Sequence, residues 1–272
     1  MHMIRRGALA AVSVVAILAI PAAASAHRQW LLPSATVLSG TDPWITVDAA
    51  VSNDLFYFDH VPMRLDTISV IAPDGSKGEI KNGATGKYRS TFDVQLSQPG
   101  TYKIANVSDG VGASYKQGGE QKRWRGPAAD LATAIPKDAT DVKITENARR
   151  LEVFATRGSP TKESLKLTGK GLELDPVTHP NDLVASEPAT FKLVIDGKPA
   201  ADVEVEVVAG GNRYSASTTE LKLKTDAQGA FTVKWPAAGM YWLEASVRGG
   251  QSSIPGAERN AAYVTTLEVL PD

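Results

Sequence analysis

Short runs in which apolar and polar residues alternate, each closed by Gly, Pro or Asp, recur from Arg28 onward and commit the chain to half-buried antiparallel strands. Trp44 to Val51 alternates around Trp44, Thr46 and Asp48. Thr67 to Ala72 is a β-branched run ended by Pro73-Asp74-Gly75; Tyr88 to Leu96 alternates again, and Gly100 to Val107 follows the turn Gln98-Pro99-Gly100. Strands of this kind pack face to face. The order of a turn and then an inward Tyr, as in Pro99-Gly100-Thr101-Tyr102, is how an immunoglobulin-like sandwich writes one of its late strands. Strand character weakens between Gly110 and Arg150 and resumes from Arg150 to Thr156, so about 110–150 reads as an irregular insertion. Within it Lys122, Arg123 and Arg125 surround Trp124, a basic cluster suited to an anionic ligand or a partner's carboxylate or, more blandly, a solvated loop pinned by its Trp.

A second unit follows Gly158-Ser159-Pro160. Leu165 to Leu167 and Leu172 to Leu174 flank Gly169-Lys170-Gly171, Ala189 to Ile195 ends in the turn Asp196-Gly197-Lys198-Pro199, and Val203, Val205 and Val207 alternate with Glu204 and Glu206. Phe231 to Trp235, the turn Pro236 to Gly239 and a strand through Trp242 complete it. The two halves echo each other, "PGTYKI" beside "AGMYWL". The expected fold is therefore all-β: two immunoglobulin-like antiparallel β-sandwich domains, 27–158 and 159–272, behind a cleaved signal peptide over 1–26.

That signal peptide rests on Arg5 and Arg6, an apolar stretch from Ala8 to Ile20, the breaker Pro21 and the small-x-small site Ala24-Ser25-Ala26. The apolar stretch falls short of the roughly 20 residues that span a bilayer, and no later run is longer, so no transmembrane helix is expected in the mature chain. Removing the segment leaves 27 Lys and Arg against 30 Asp and Glu. A near-neutral balance gives no footprint for nucleic acid or for an acidic membrane surface. The 272 residues include no Cys, which excludes disulfides, Cys-bound zinc, iron–sulfur clusters and thiol catalysis. Any metal must be held through His, carboxylate or amine.

Cleavage after Ala26 makes His27 the first residue. Its α-amine, with a reference pKa of about 7.7–8, and its imidazole Nδ1 are placed to chelate one ion. A second imidazole would complete a three-nitrogen site that favours Cu(II) or Ni(II). The mature chain has two other histidines, His60 and His179. The ordinary alternatives are a His that merely follows the cut, a packed or surface His60, and a turn residue at His179.

"HRQWLLPS" from His27, "GTDPWITVDAAVSND" from Gly40, "ISVIAPDG" from Ile68, "PGTYKI" from Pro99, and "IDGKPAADVEV" with "TDAQGAFTVKWPAAGMYWLEA" in the second half resemble a family of bacterial exported proteins of unknown function. Its members are often labelled periplasmic components of nickel or cobalt uptake systems. The resemblance covers essentially all of the mature chain. It implies a periplasmic location and one bound Ni(II), Co(II) or Cu(II) ion with no organic cofactor. It also implies a TonB-dependent receptor or metal transporter of the envelope as partner. His27 and Trp30 match the family's opening, and His60, in "NDLFYFDHVPM", lies where the family often places a His near Phe and Pro. The metal ligands expected are His27 and His60, with Asp54 and Asp59 as oxygen ligands or as acceptors that fix an imidazole tautomer.

The chain contains no His-Glu-x-x-His, no Gly-x-Ser-x-Gly and no phosphate loop, and it is not expected to be an enzyme. Terminal-histidine sites on β-sandwiches also occur in polysaccharide-cleaving oxygenases, but the terminal His is the only feature shared with them. The sequence thus supports a metal-binding or uptake-accessory protein of the periplasm. The alternative is a non-catalytic envelope interaction module of tandem sandwiches without metal.

Overall fold

The computed structural model describes residues 27–211, 213 and 219–272; the expected signal peptide over 1–26 lies outside the described residues. The first half contains β1 (Arg28–Pro33), β2 (Val37–Leu38), β3 (Trp44–Ser52), β4 (Val61–Pro62), β5 (Ile68–Ile71), β6 (Lys77–Gly78), β7 (Lys81–Thr85) and β8 (Ser90–Gln95). It ends with β9 (Gly100–Gln117), β10 (Glu120–Gly126), the short helix α1 (Leu131–Ala134) and β11 (Thr140–Arg157). The second half contains β12 (Leu172–Pro176), β13 (Ala189–Ile195), β14 (Lys198–Pro199) and β15 (Glu204–Ala209). It continues with β16 (Glu220–Lys224), β17 (Ala230–Val233), β18 (Gly239–Arg248) and β19 (Glu258–Val269). No helix among the described residues is long and apolar enough to cross a membrane.

The protein is an all-β sandwich, and alternation builds it where one strand face is wet. Ile45, Val47 and Ala49 of β3 and Phe92 and Val94 of β8 are buried, as are Phe191 and Leu193 of β13 and Val205 and Val207 of β15. The expected strand Leu165 to Leu167 does not form. Glu163–Leu165 is instead a 3₁₀ turn whose Ser164 hydroxyl donates to the Thr101 carbonyl at 2.6 Å, so its polar groups cap the start of β9 and do not pair.

Three sheets make three layers. A large central sheet runs β16-β15-β18-β19-β11-β9-β5-β6, with β10 and β2 attached, and the two halves join in it through the parallel pair β11–β19. One of its faces carries Ile104, Leu151, Val153, Val264, Trp242 and Val208, and the sheet β1-β3-β8-β7 packs there to form the first core. The opposite face carries Tyr241, Leu243, Tyr263, Val205 and Val207, and the sheet built on β12 and β13 packs there as the second core. Each core thus borrows strands whose other face serves its neighbour. Residues Ala261 to Leu267 are consequently all buried. Trp242 lies in the first core although it belongs to β18, and its indole Nε1 donates to the Gln29 carbonyl at 3.0 Å.

The stretch 110–150, expected to be irregular, is mostly a β-ribbon. Gly118 and Gly119 both take left-handed φ, 59° and 84°, which gives the two-residue turn that matches strand twist and sets Gln117 opposite Glu120. Each half also has a Tyr hydroxyl tied to the turn before it: the Gln98 N–H donates to Tyr102 Oη at 2.7 Å, and Tyr241 Oη donates to the Ala237 carbonyl at 2.7 Å. Gly100, at φ 121°, is obligatory in the first of these turns, because a Cβ there would lie 2.7 Å from Pro73 and Thr161.

Between the halves lies a buried polar seam. The Glu152 carboxylate pairs with Arg150 at 3.1 Å, faces Lys103 at 3.9 Å and accepts from the Tyr263 hydroxyl at 3.1 Å. Glu173, 3.5 Å from Arg150, accepts the backbone N–H groups of Thr168, Gly169 and Lys170. Two cations thus meet two anions, the condition under which buried charge is tolerable. Beside them His179 Nδ1 accepts the Asn181 N–H at 3.1 Å and Nε2 donates to the Thr161 carbonyl at 3.1 Å, an arrangement that requires the neutral ring.

Burial holds the His179 imidazole below its ordinary pKa of 6.5. The unfolded chain therefore binds a proton that the folded chain refuses, and stability rises with pH through that window. The free energy of unfolding is expected to be level above about pH 7 and to fall as pH drops from about 6.5 toward 5. In denaturant titrations across this range, His179→Gln should flatten that slope; an unchanged slope would remove His179 from the account.

Candidate metal centre

β1 and β4 flank β3 on opposite edges. Arg28 stands opposite Ser52 on one side, and Val61 stands opposite Val51 on the other. His27 and His60, each one residue before its strand, therefore lie at the same end of β3, two strand spacings or about 9.6 Å apart in backbone. Their side chains close this gap. The imidazole rings stack with centroids 3.9 Å apart and planes 8° from parallel. His27 is exposed and His60 half-buried.

The loop from Asn53 to His60 is fixed by an aromatic floor. Trp30, fully buried, meets Phe56 edge-on and Phe58 at a tilt, both with centroids 5.5 Å away. Its Nε1 donates to Ser52 Oγ at 2.7 Å, and that hydroxyl donates to the Asp54 carbonyl at 2.6 Å. Phe56 takes φ 57°, an uncommon conformation for a bulky residue, and is held against Gly210, where a Cβ would come within 3.1 Å of its ring. The Arg89 guanidinium covers Phe58 at 4.2 Å and that of Arg213 covers Tyr57 at 3.7 Å. The centre thus has a dry wall on one side and solvent at His27.

The two aspartates serve the loop. Asp59 Oδ1 accepts the Asn53 N–H at 2.9 Å, and Asp54, exposed, contributes its backbone carbonyl, which also accepts the Tyr57 N–H at 3.2 Å. Among the described residues no group of three or more His, Cys, Asp or Glu side chains is gathered to hold a metal. His179 lies in the seam between the halves with both ring nitrogens engaged.

The chemistry available is therefore that of two imidazoles and, once the chain begins at His27, an α-amine. Imidazole lone pairs lie in the ring plane, and two parallel planes 3.9 Å apart do not point at one ion. Convergence on one ion would require the exposed His27 ring to turn about its side-chain bonds over an unmoved backbone. That backbone is anchored by a clamp with no local signal in sequence. Arg28 pairs with Glu206 at 2.8 Å and lies over the Trp242 ring at 5.2 Å, and both partners lie about 180 residues or more further on. Nearby on the central sheet Glu244, its carboxyl raised by burial, faces Arg149 at 3.7 Å.

A cleft of about 500 Å³ opens elsewhere, between the ribbon and the second half, lined by Asp109, Glu146, Arg150, Lys170, Asp196 and Arg259. Its charges largely answer one another. The Arg259 guanidinium holds Asp196 below the usual carboxylate range, and Glu146 accepts from Ser252 and Ser253. Neither histidine of the stacked pair lines it.

Residues 24–249 match the family described as "Domain of unknown function (DUF4198)". No curated protein sequence matches the chain. Among solved structures, the D0-D1 domain of intimin is 14% identical with a TM-score of 0.22, the match covering 88% of this chain and 97% of that one. A marsupial T cell receptor is 11% identical with a TM-score of 0.20, covering 90% of this chain and 74% of the receptor's. At those scores neither carries an argument, and the fold class rests on the strand pairing itself.

Ser52→Ala strands the buried Trp30 N–H and releases the Asp54 carbonyl. The variant is expected to lose about 1–3 kcal/mol of stability, the cost of an unsatisfied buried donor, read by urea denaturation. Ser52→Thr should retain most of it.

Proposed function

The chain belongs to the DUF4198 family, and we propose that its mature form binds one divalent transition-metal ion through the His27 α-amine, the His27 imidazole and His60, as a metal-binding or uptake-accessory protein of the periplasm. The observation that carries this reading is the stacking of His60 on the residue that cleavage exposes, 3.9 Å between ring centroids. Separate pairings on opposite edges of one strand bring the two histidines into contact. Both rings need to be neutral to ligate, and a nitrogen-only set favours Cu(II) or Ni(II) over harder ions, with Co(II) weaker. The aromatic floor supports it by fixing His60 while leaving His27 open to incoming metal. Asp54 and Asp59 then act by shaping the loop that presents His60.

Calorimetry with Cu(II) and Ni(II) on protein whose terminus is shown by N-terminal sequencing to be His27 tests the reading. One ion per chain is expected, and an extra residue before His27 should weaken binding by more than the roughly 10–100-fold that loss of a mere outer-shell partner costs. Equal affinity of the two forms removes the terminal chelate; absence of binding in both leaves the tandem sandwich as an envelope interaction module without metal. In the same titration His60→Ala is expected to weaken the site strongly and His179→Ala to leave it unchanged, with the reverse order assigning the second imidazole to His179.

A further inference from the structure

The ribbon sorts the basic cluster around Trp124 onto two faces. Pairing places Arg123 opposite Ser114 and Arg125 opposite Gly112, and on the other side of β9 it places Lys143 opposite Ser114 and Thr145 opposite Gly112. Residues directly opposite share a face. One face therefore presents Arg123, Arg125 and Lys143 around a floor of Gly110, Gly112 and Ser114. The other presents Val111, Ala113 and Tyr115, all buried, with the Trp124 ring packed over Gly126. Lys122, in phase with Trp124, belongs to that second face.

The three cations of the first face are exposed, and among the described residues none has a carboxylate within ion-pair distance. Two acids share the face: Asp141, paired with Lys116 at 2.7 Å and also stabilised by the charge of Lys143, and the exposed Glu258, opposite Thr145 on the neighbouring strand; neither forms an ion pair with the three cations. The concentration is local, since the whole chain has a formal net charge of -1. Spacing decides what such a face can hold. Neighbours along a strand on one face are about 6.8 Å apart, and residues on β10 and β11 about 9.6 Å apart. Cations so spread along one face of the ribbon do not converge on one small anion; they suit an array of separate anions. The glycine floor offers no apolar side chain to form the desolvated core that a protein interface needs, and no aromatic ring for a sugar.

We propose that this face of the ribbon docks on an anionic lipid surface, with Arg123, Arg125 and Lys143 each meeting headgroup phosphate. The docking is electrostatic and peripheral, requires no insertion, and does not depend on the metal reading. Each basic residue near an anionic bilayer contributes enough that removing three lowers affinity by about 100-fold.

Mature protein is sedimented with vesicles of equal phosphatidylglycerol and phosphatidylcholine and with phosphatidylcholine alone, at low and high salt. Binding is expected to the mixed vesicles only and to vanish at high salt. The triple variant Arg123→Gln, Arg125→Gln, Lys143→Gln should lose about 100-fold, and Lys122→Gln, exposed but on the opposite face of the ribbon, much less. Circular dichroism of each variant checks that the ribbon is intact, and single substitutions replace the triple if it is not. Binding to neutral vesicles as well, an equal loss in Lys122→Gln, or retention by the folded charge variants would overturn the proposal. Binding to soluble polyglutamate without binding to vesicles would overturn it in favour of an acidic protein partner.

Discussion

The parallel pairing of β11 with β19 is the constraint on which the rest depends. Nine residues of one half, Thr145 to Val153, run beside nine of the other, Glu258 to Thr266. This makes one sheet of two sets of strands and gives that sheet two buried faces. A chain without cysteine must be held by apolar burial, and sharing the central sheet lets the same strands serve two cores. The cost is the polar seam where the shared sheet outruns the second sandwich. There Lys103, Arg150, Glu152 and Glu173 are buried together and spend their charges on one another.

The candidate site at His27 and His60 inherits its geometry from that sheet. β1 lies over the face of the central sheet that carries Trp242, receives the Trp242 N–H on the Gln29 carbonyl, and is clamped by Arg28 to Glu206. A chain shortened to begin at His27 would ordinarily fray there; the following residue, Arg28, is tied to the far half of the molecule. The loop that carries His60 is held through Trp30 of the same strand, through Ser52 and through its own aromatic rings.

Legibility in the sequence followed wetting. β3, β8, β13 and β15 have one wet face, and their alternation shows them nearly residue by residue. β19 is buried on both faces through Ala261 to Leu267 and carries no alternation there, so it does not stand out in the sequence although the turn Pro255-Gly256 precedes it and it joins the halves. The ribbon was misread as irregular because its signal was a single Gly-Gly turn between runs rich in small and charged residues. At the candidate site, His27 and His60 were legible from the cleavage rule and from the resemblance, whereas their contact was not, since it arises from pairings on two edges of β3. Asp54 and Asp59 had the right residue type in the right place, but the loop consumes the Asp59 carboxylate on its own backbone. The Arg28 clamp had no local sign at all, its partners being 178 and 214 positions away.

A shared sheet also makes the molecule indivisible in a way that its repeated phrases conceal. Severing the chain near Gly158 would leave β11 with one naked edge, its nine partners gone, and would strip Trp242, Val208 and Val264 from the first core. An open edge of that length beside exposed apolar surface invites the wrong neighbour, usually another copy of the same fragment. Two units that look like beads on a string are closer to two rooms with a common wall. They would fold and be degraded together, and neither could be cut out without exposing the wall it shares.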